Sequence, residues 1–135
     1  MTQYFIVQFQ AGPPGASGGY TTPNPPILYN ATATGAFVGA EQKWGLDTSS
    51  AAFNLTVPSA VFGQVMQVDD HRATWASKPP SLIMPAGVTI ENPMGGGYVS
   101  ALTLRSYGGT ATSSYRWTFY VFNNGESNVQ LWKLT

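Results

Sequence analysis

The sequence contains no cysteine and only one histidine. The first absence excludes a disulfide framework, thiolate metal sites and a cysteine nucleophile. The second leaves His71 as the only source of imidazole chemistry. Charge is scarce too: Asp, Glu, Lys and Arg make up 9% of 135 residues, where about 25% is ordinary. Six basic residues balance six acidic ones, so there is neither a basic nucleic-acid footprint nor an acidic solvating tail. No apolar run approaches the roughly 18 residues of a membrane-spanning helix. The opening MTQYFIVQF also lacks the basic region of a signal peptide. These absences predict no nucleic-acid partner and no membrane span.

Hydrophobic residues make up 43% of the chain and aromatic residues 13%. Disorder requires the opposite balance, low hydrophobicity with high charge. A freely dispersed domain ordinarily keeps more surface charge than this chain has, so the composition implies that a partner covers much of its surface. The length suits one domain, or one domain and an arm.

Fifteen glycines and ten prolines interrupt the chain too often for long helices, because each costs about 1 (Gly) or 3 (Pro) kcal/mol in a helix interior. Strand signals replace them. Phe53, Leu55 and Val57 alternate with Asn54 and Thr56 before Pro58, and Val65–Asp70 follows Gly63. Leu82–Met84 and Val88–Ile90 flank Pro85-Ala86-Gly87, and Leu102–Leu104 follows the Gly95-Gly96-Gly97 loop. Shorter strands are expected at Ile27–Asn30 and Gly35–Ala40. In Tyr115–Phe122 large side chains occupy both faces. Asn123-Asn124-Gly125-Glu126 then supplies a tight turn, and Val129–Leu134 returns antiparallel. About eight short strands separated by Gly/Pro turns predict an all-β fold, an antiparallel β-sandwich or jelly roll. No internal repeat of a propeller or solenoid is visible.

The N-terminal third reads differently. Tyr4–Phe9 is a strong short strand, and Ala11–Pro26 then carries Pro13, Pro14, Pro23, Pro25 and Pro26 among glycines. Such a segment cannot complete a hydrogen-bond ladder and reads as an extended arm. The predicted division is an N-terminal strand and arm over residues 1–46 and a β-sandwich domain over residues 47–135. Tyr4, Phe5, Ile6, Val7 and Phe9 are the expected assembly contacts, adding an edge strand to a neighbour.

The order of elements from residue 47 to 135 resembles a β-sandwich module of tailed-bacteriophage virion proteins. It rests on LTVPSAVFGQVMQVDD (Leu55–Asp70), PPSLIMPAGVTIENP (Pro79–Pro93), SALTL (Ser100–Leu104) and YRWTF (Tyr115–Phe119). Residues 1–46 have no counterpart in it. The resemblance implies fibres, spikes or capsid decorations, commonly homotrimeric, contacting other virion proteins at the particle surface.

Candidate chemistry is thin. Asp69 and Asp70 with Glu91 could hold a divalent cation through oxygen, but no D-x-D-x-D-G loop exists, and an aspartate at a strand end more often forms a turn. On a strand, Asp69 and Asp70 point to opposite faces and do not form a catalytic pair. Ser17 lies in a glycine run and in no nucleophile elbow. The sequence thus predicts no catalytic residues, no metal and no cofactor. Trp117 and Trp132 suit the core of the terminal hairpin. Trp75, in the polar stretch DHRATWASK, and then Trp44 are the candidates for an exposed platform on which a host glycan stacks. The leading expectation is a non-enzymatic capsid decoration protein. The alternatives are a tail-fibre or baseplate protein and a lectin-like module.

Overall fold

The computed structural model describes residues 26–106 and 113–135. It is all-β, with no helix among the described residues. Eleven strands follow in order: β1 (Ile27–Tyr29), β2 (Ala33–Thr34), β3 (Glu41–Leu46), β4 (Asn54–Thr56), β5 (Val65–Asp70), β6 (Ser81–Ile83), β7 (Val88–Glu91), β8 (Tyr98–Val99), β9 (Ala101–Thr103), β10 (Ser114–Asn123) and β11 (Asn128–Leu134). They form a seven-stranded sheet, β1-β3-β5-β10-β11-β7-β8, and a four-stranded sheet, β9-β6-β4-β2.

From β1 to β7 the chain alternates between the sheets at every step. Consecutive strands of one sheet in this part of the chain therefore run parallel: β1 with β3, β3 with β5, β2 with β4 and β4 with β6. The β10–β11 hairpin is inserted between β5 and β7, antiparallel to β5 and parallel to β7. The expected all-antiparallel arrangement is thus corrected: both sheets are mixed. Alternation between sheets forces parallel neighbours, because each strand is reached by a crossover and not by a hairpin. The register offsets are unequal, pairing Ile27 with Trp44, Glu41 with Val65, Ala33 with Leu55 and Asn54 with Ser81. Unequal crossovers leave no period for the sequence to display.

Side chains of both sheets enter one buried cluster. Leu55, Leu82 and Leu102 come from the four-stranded sheet, and Trp44, Met66, Val68, Ile90, Trp117, Phe119 and Trp132 from the seven-stranded one. Trp117 donates its indole N–H to the Glu91 carbonyl at 2.9 Å. The Trp132 Nε1 is buried without a hydrogen-bond partner among the described residues. Trp44 packs its ring over Gly35, where a Cβ would stand 2.6 Å from Cζ2, and donates its indole N–H to the Ala36 carbonyl at 2.9 Å.

That packing corrects the expected boundary after residue 46. β3 pairs along its whole length with β5, and Trp44 and Leu46 are fully buried in the shared cluster. Residues 27–46 are therefore part of the core structure and not of an arm. Gly35–Ala40 is irregular, and β2 and β3 flank it. The predicted strand Tyr4–Phe9 and the segment from Ala11 to Pro25 lie outside the described residues.

Candidate docking surface

The residues singled out from sequence separate by environment. Tyr4, Phe5, Ile6, Val7 and Phe9 lie outside the described residues. Trp75 is 1% exposed and Trp44 is 0% exposed, so neither ring has a face free for a sugar, and the glycan platform expected at these residues is withdrawn. The reason is local. Asp70 is buried, and its carboxylate accepts the backbone N–H groups of Thr74 at 3.0 Å and Trp75 at 3.2 Å. This folds the polar loop after β5 back on itself, with Ala73 at φ 57°. The Trp75 ring then stacks on Tyr115, with centroids 6.1 Å apart and planes 10° from parallel.

The acidic residues are likewise occupied by structure. Asp69 accepts from the Ser114 hydroxyl at 2.6 Å and from the Gln67 amide at 3.0 Å, while Glu91 accepts the Leu134 backbone N–H at 2.9 Å. Among the described residues no three His, Cys, Asp or Glu side chains are grouped to hold a metal ion. Asp47 accepts from the Ser49 hydroxyl and amide at 2.6 and 2.9 Å. These hydrogen bonds hold its carboxyl below the ordinary value, with smaller help from Arg72 and His71, against a raising effect of burial.

The outer face of the seven-stranded sheet carries a different feature. On β10, Tyr115, Trp117 and Phe119 point into the core, so Arg116, Thr118, Tyr120 and Phe122 point outward. The register places Lys133 opposite Thr118, Leu131 opposite Tyr120 and Val129 opposite Phe122. The loop before β5 continues this layer: Gly63 donates to the Phe119 carbonyl at 2.8 Å, and Phe62 meets Tyr120 edge-on at 5.7 Å. Three segments thus lay an apolar strip, Phe62–Tyr120–Leu131, with Phe122 and Val129 beside it. Phe62 is 66% exposed, Phe122 50% and the adjoining Val61 71%. Leu131 is buried outside the main cluster.

The same face becomes polar toward the other end of β10. There Arg116 pairs with Glu41 at 3.0 Å across β3, β5 and β10, and Gln67 lies between them. The alternation in Tyr115–Phe122 showed that large side chains occupy both faces of β10. It gave no signal for Phe62, whose place in the strip depends on a loop meeting a strand far along the chain. No helix among the described residues is long and apolar enough to cross a membrane. Compared with protein-family models and with curated proteins, the chain matches none.

Proposed function

We propose that the chain is a non-enzymatic structural protein of a tailed-phage particle, a decoration or cement protein at the capsid surface. In this reading it stabilises the shell by covering apolar area on its neighbours. The observation that carries the reading is the aromatic strip on the outer face of the seven-stranded sheet, where the exposed Phe62 and Phe122 lie beside the half-buried Tyr120. An isolated exposed apolar side chain needs no explanation, but a contiguous patch on a central strand marks an interaction site. Burying such a patch returns about 25 cal/mol per Å² before the entropic costs of association. The scarcity of charge, 9% of residues, supports the same reading for the surface at large. The resemblance in element order read from the sequence motivates the class of assembly, and it implies a homotrimer.

The working contacts are the strip, to other virion proteins, and Tyr4–Phe9, to a sheet edge. Immunogold electron microscopy of the source particle, with antibody against the purified chain, tests the reading. Label spread over the head is the expected result. Label confined to the tail would make the chain a fibre or baseplate protein, and absence of label from particles would overturn the virion reading.

A further inference from the structure

We infer that Asn124, in the turn between β10 and β11, is a site of spontaneous covalent modification. Its side-chain amide is lost to water through a ring closed by the backbone nitrogen of Gly125. β10 ends at Asn123 and β11 begins at Asn128, so Asn124, Gly125, Glu126 and Ser127 make the turn. All of them are exposed. Asn124 is the one asparagine of the chain that precedes a glycine. A glycine has no Cβ beside its nitrogen, so that nitrogen can approach an atom that a larger residue would screen.

The turn holds the Asn124 side chain in a form suited to this reaction. Its Oδ1 accepts the backbone N–H groups of Glu126 at 3.0 Å and Ser127 at 3.1 Å. Attack at Cγ turns that oxygen into an oxyanion, and paired backbone N–H donors at such distances stabilise one. Gly125 has φ 98°, and nothing described lies within 4 Å of the place a Cβ would take. Its N–H donates to the Asn123 Oδ1 at 2.8 Å, an exposed side chain that turns away before the proton leaves. The neighbouring asparagines are placed differently. The nitrogen after Asn123 is that of Asn124, which donates to the Ser127 backbone carbonyl at 3.1 Å. The nitrogen after Asn128 belongs to Val129, whose branched side chain crowds it.

Water is the only co-reactant. Hydroxide removes the Gly125 N–H proton, and the nitrogen forms a bond to Asn124 Cγ. The bond from Cγ to Nδ2 breaks, and Nδ2 takes a proton from water and leaves as ammonia. A cyclic imide remains, which water opens at either carbonyl. Opening at the side-chain carbonyl gives aspartate. Opening at the main-chain carbonyl gives isoaspartate, in which the backbone runs on through Cβ and Cγ. One water enters for each ammonia that leaves, and nothing is oxidised or reduced. The product adds a negative charge to a chain whose formal net charge is zero. That charge stands at the end of the apolar strip, because Phe122 and Val129 are the pair next to Asn123 and Asn128.

The test incubates the folded, full-length chain in neutral and in mildly alkaline buffer and samples it by isoelectric focusing. Trypsin, used at mildly acidic pH where hydroxide is scarce, cuts after Arg116 and Lys133 and releases residues 117–133, which hold Asn123, Asn124 and Asn128. Fragmentation mass spectrometry locates the converted residue, and an isoaspartate-specific methyltransferase reads the rearranged backbone. The expected result is an acidic species that accumulates faster in the alkaline buffer and contains isoaspartate. Asn124 is expected to convert at least about tenfold faster than Asn123 or Asn128, the effect of about 1.4 kcal/mol of barrier. Conversion seen only after the chain is unfolded in guanidinium chloride would overturn the assignment to the folded turn, as would equal conversion of the three asparagines. Aspartate formed without isoaspartate would overturn attack by the Gly125 nitrogen.

Discussion

Trp75 is held by three contacts at once. Its ring stacks on Tyr115, its indole N–H reaches the Leu46 carbonyl at 3.4 Å, and its backbone N–H rests on the Asp70 carboxylate. Around it the loop is closed by the Thr48–Thr74 hydroxyl contact at 2.7 Å and by Lys78 donating to the Ser49 carbonyl at 2.8 Å. Removing a buried aromatic side chain removes its transfer free energy and leaves a cavity, typically costing about 3–5 kcal/mol. Trp75→Ala is therefore expected to lower the urea midpoint strongly at unchanged slope. An unchanged midpoint would mean that the ring is not part of the core. At this scale the sequence misleads for a physical reason: polar residues surround Trp75 in the chain, but a single buried carboxylate turns that polar loop inward. Asp70 was legible as a turn former at a strand end. That its turn would bury the neighbouring tryptophan was not.

Most strands were legible: besides the alternating ones, the expected runs Leu82–Met84, Val88–Ile90 and Leu102–Leu104 overlap β6, β7 and β9, whereas β2 and β3 were missed. Asn54–Thr56, Val65–Asp70 and the terminal hairpin stand where the period-two pattern places them. β3 was hidden because Glu41, Gln42 and Lys43 lead it and Gly45 interrupts it. Its cross-strand partners on β1 and β5 make it a strand nonetheless. Gln42 is buried there, accepting the Val38 N–H at 2.9 Å and donating to the Lys43 carbonyl at 3.1 Å. A buried amide satisfied on both ends has no signature in a hydropathy pattern. One consequence concerns truncation. A chain of residues 26–135 retains every described strand and is expected to fold, giving a cooperative thermal transition. A chain of residues 47–135 loses β1, β2 and β3, and with them Trp44 and Leu46 from the core, and is expected to give none. A cooperative transition in the shorter chain would restore the boundary after residue 46.

For the whole molecule, the two sheets divide the work. Their inner faces share the buried cluster that holds the fold together. The outer face of the larger sheet is split between a polar end, where Arg116 bridges to Glu41 and Gln67, and the apolar strip around Tyr120. The polar end is satisfied within the chain; the strip leaves apolar surface in water. That asymmetry is the centre of the functional proposal, which assigns the partner to the apolar part of the face. The most direct measurement is co-sedimentation of the purified chain with source particles stripped of it, comparing wild type with Phe62→Ser/Phe122→Ser. Both positions are well exposed, and exposed substitutions usually change stability by no more than about 0.5 kcal/mol each. The double variant is expected to keep the wild-type thermal midpoint within a few degrees and to stay in the supernatant while wild type pellets with the particles. A folded double variant that pellets as wild type does would contradict the assignment of the strip as the docking surface.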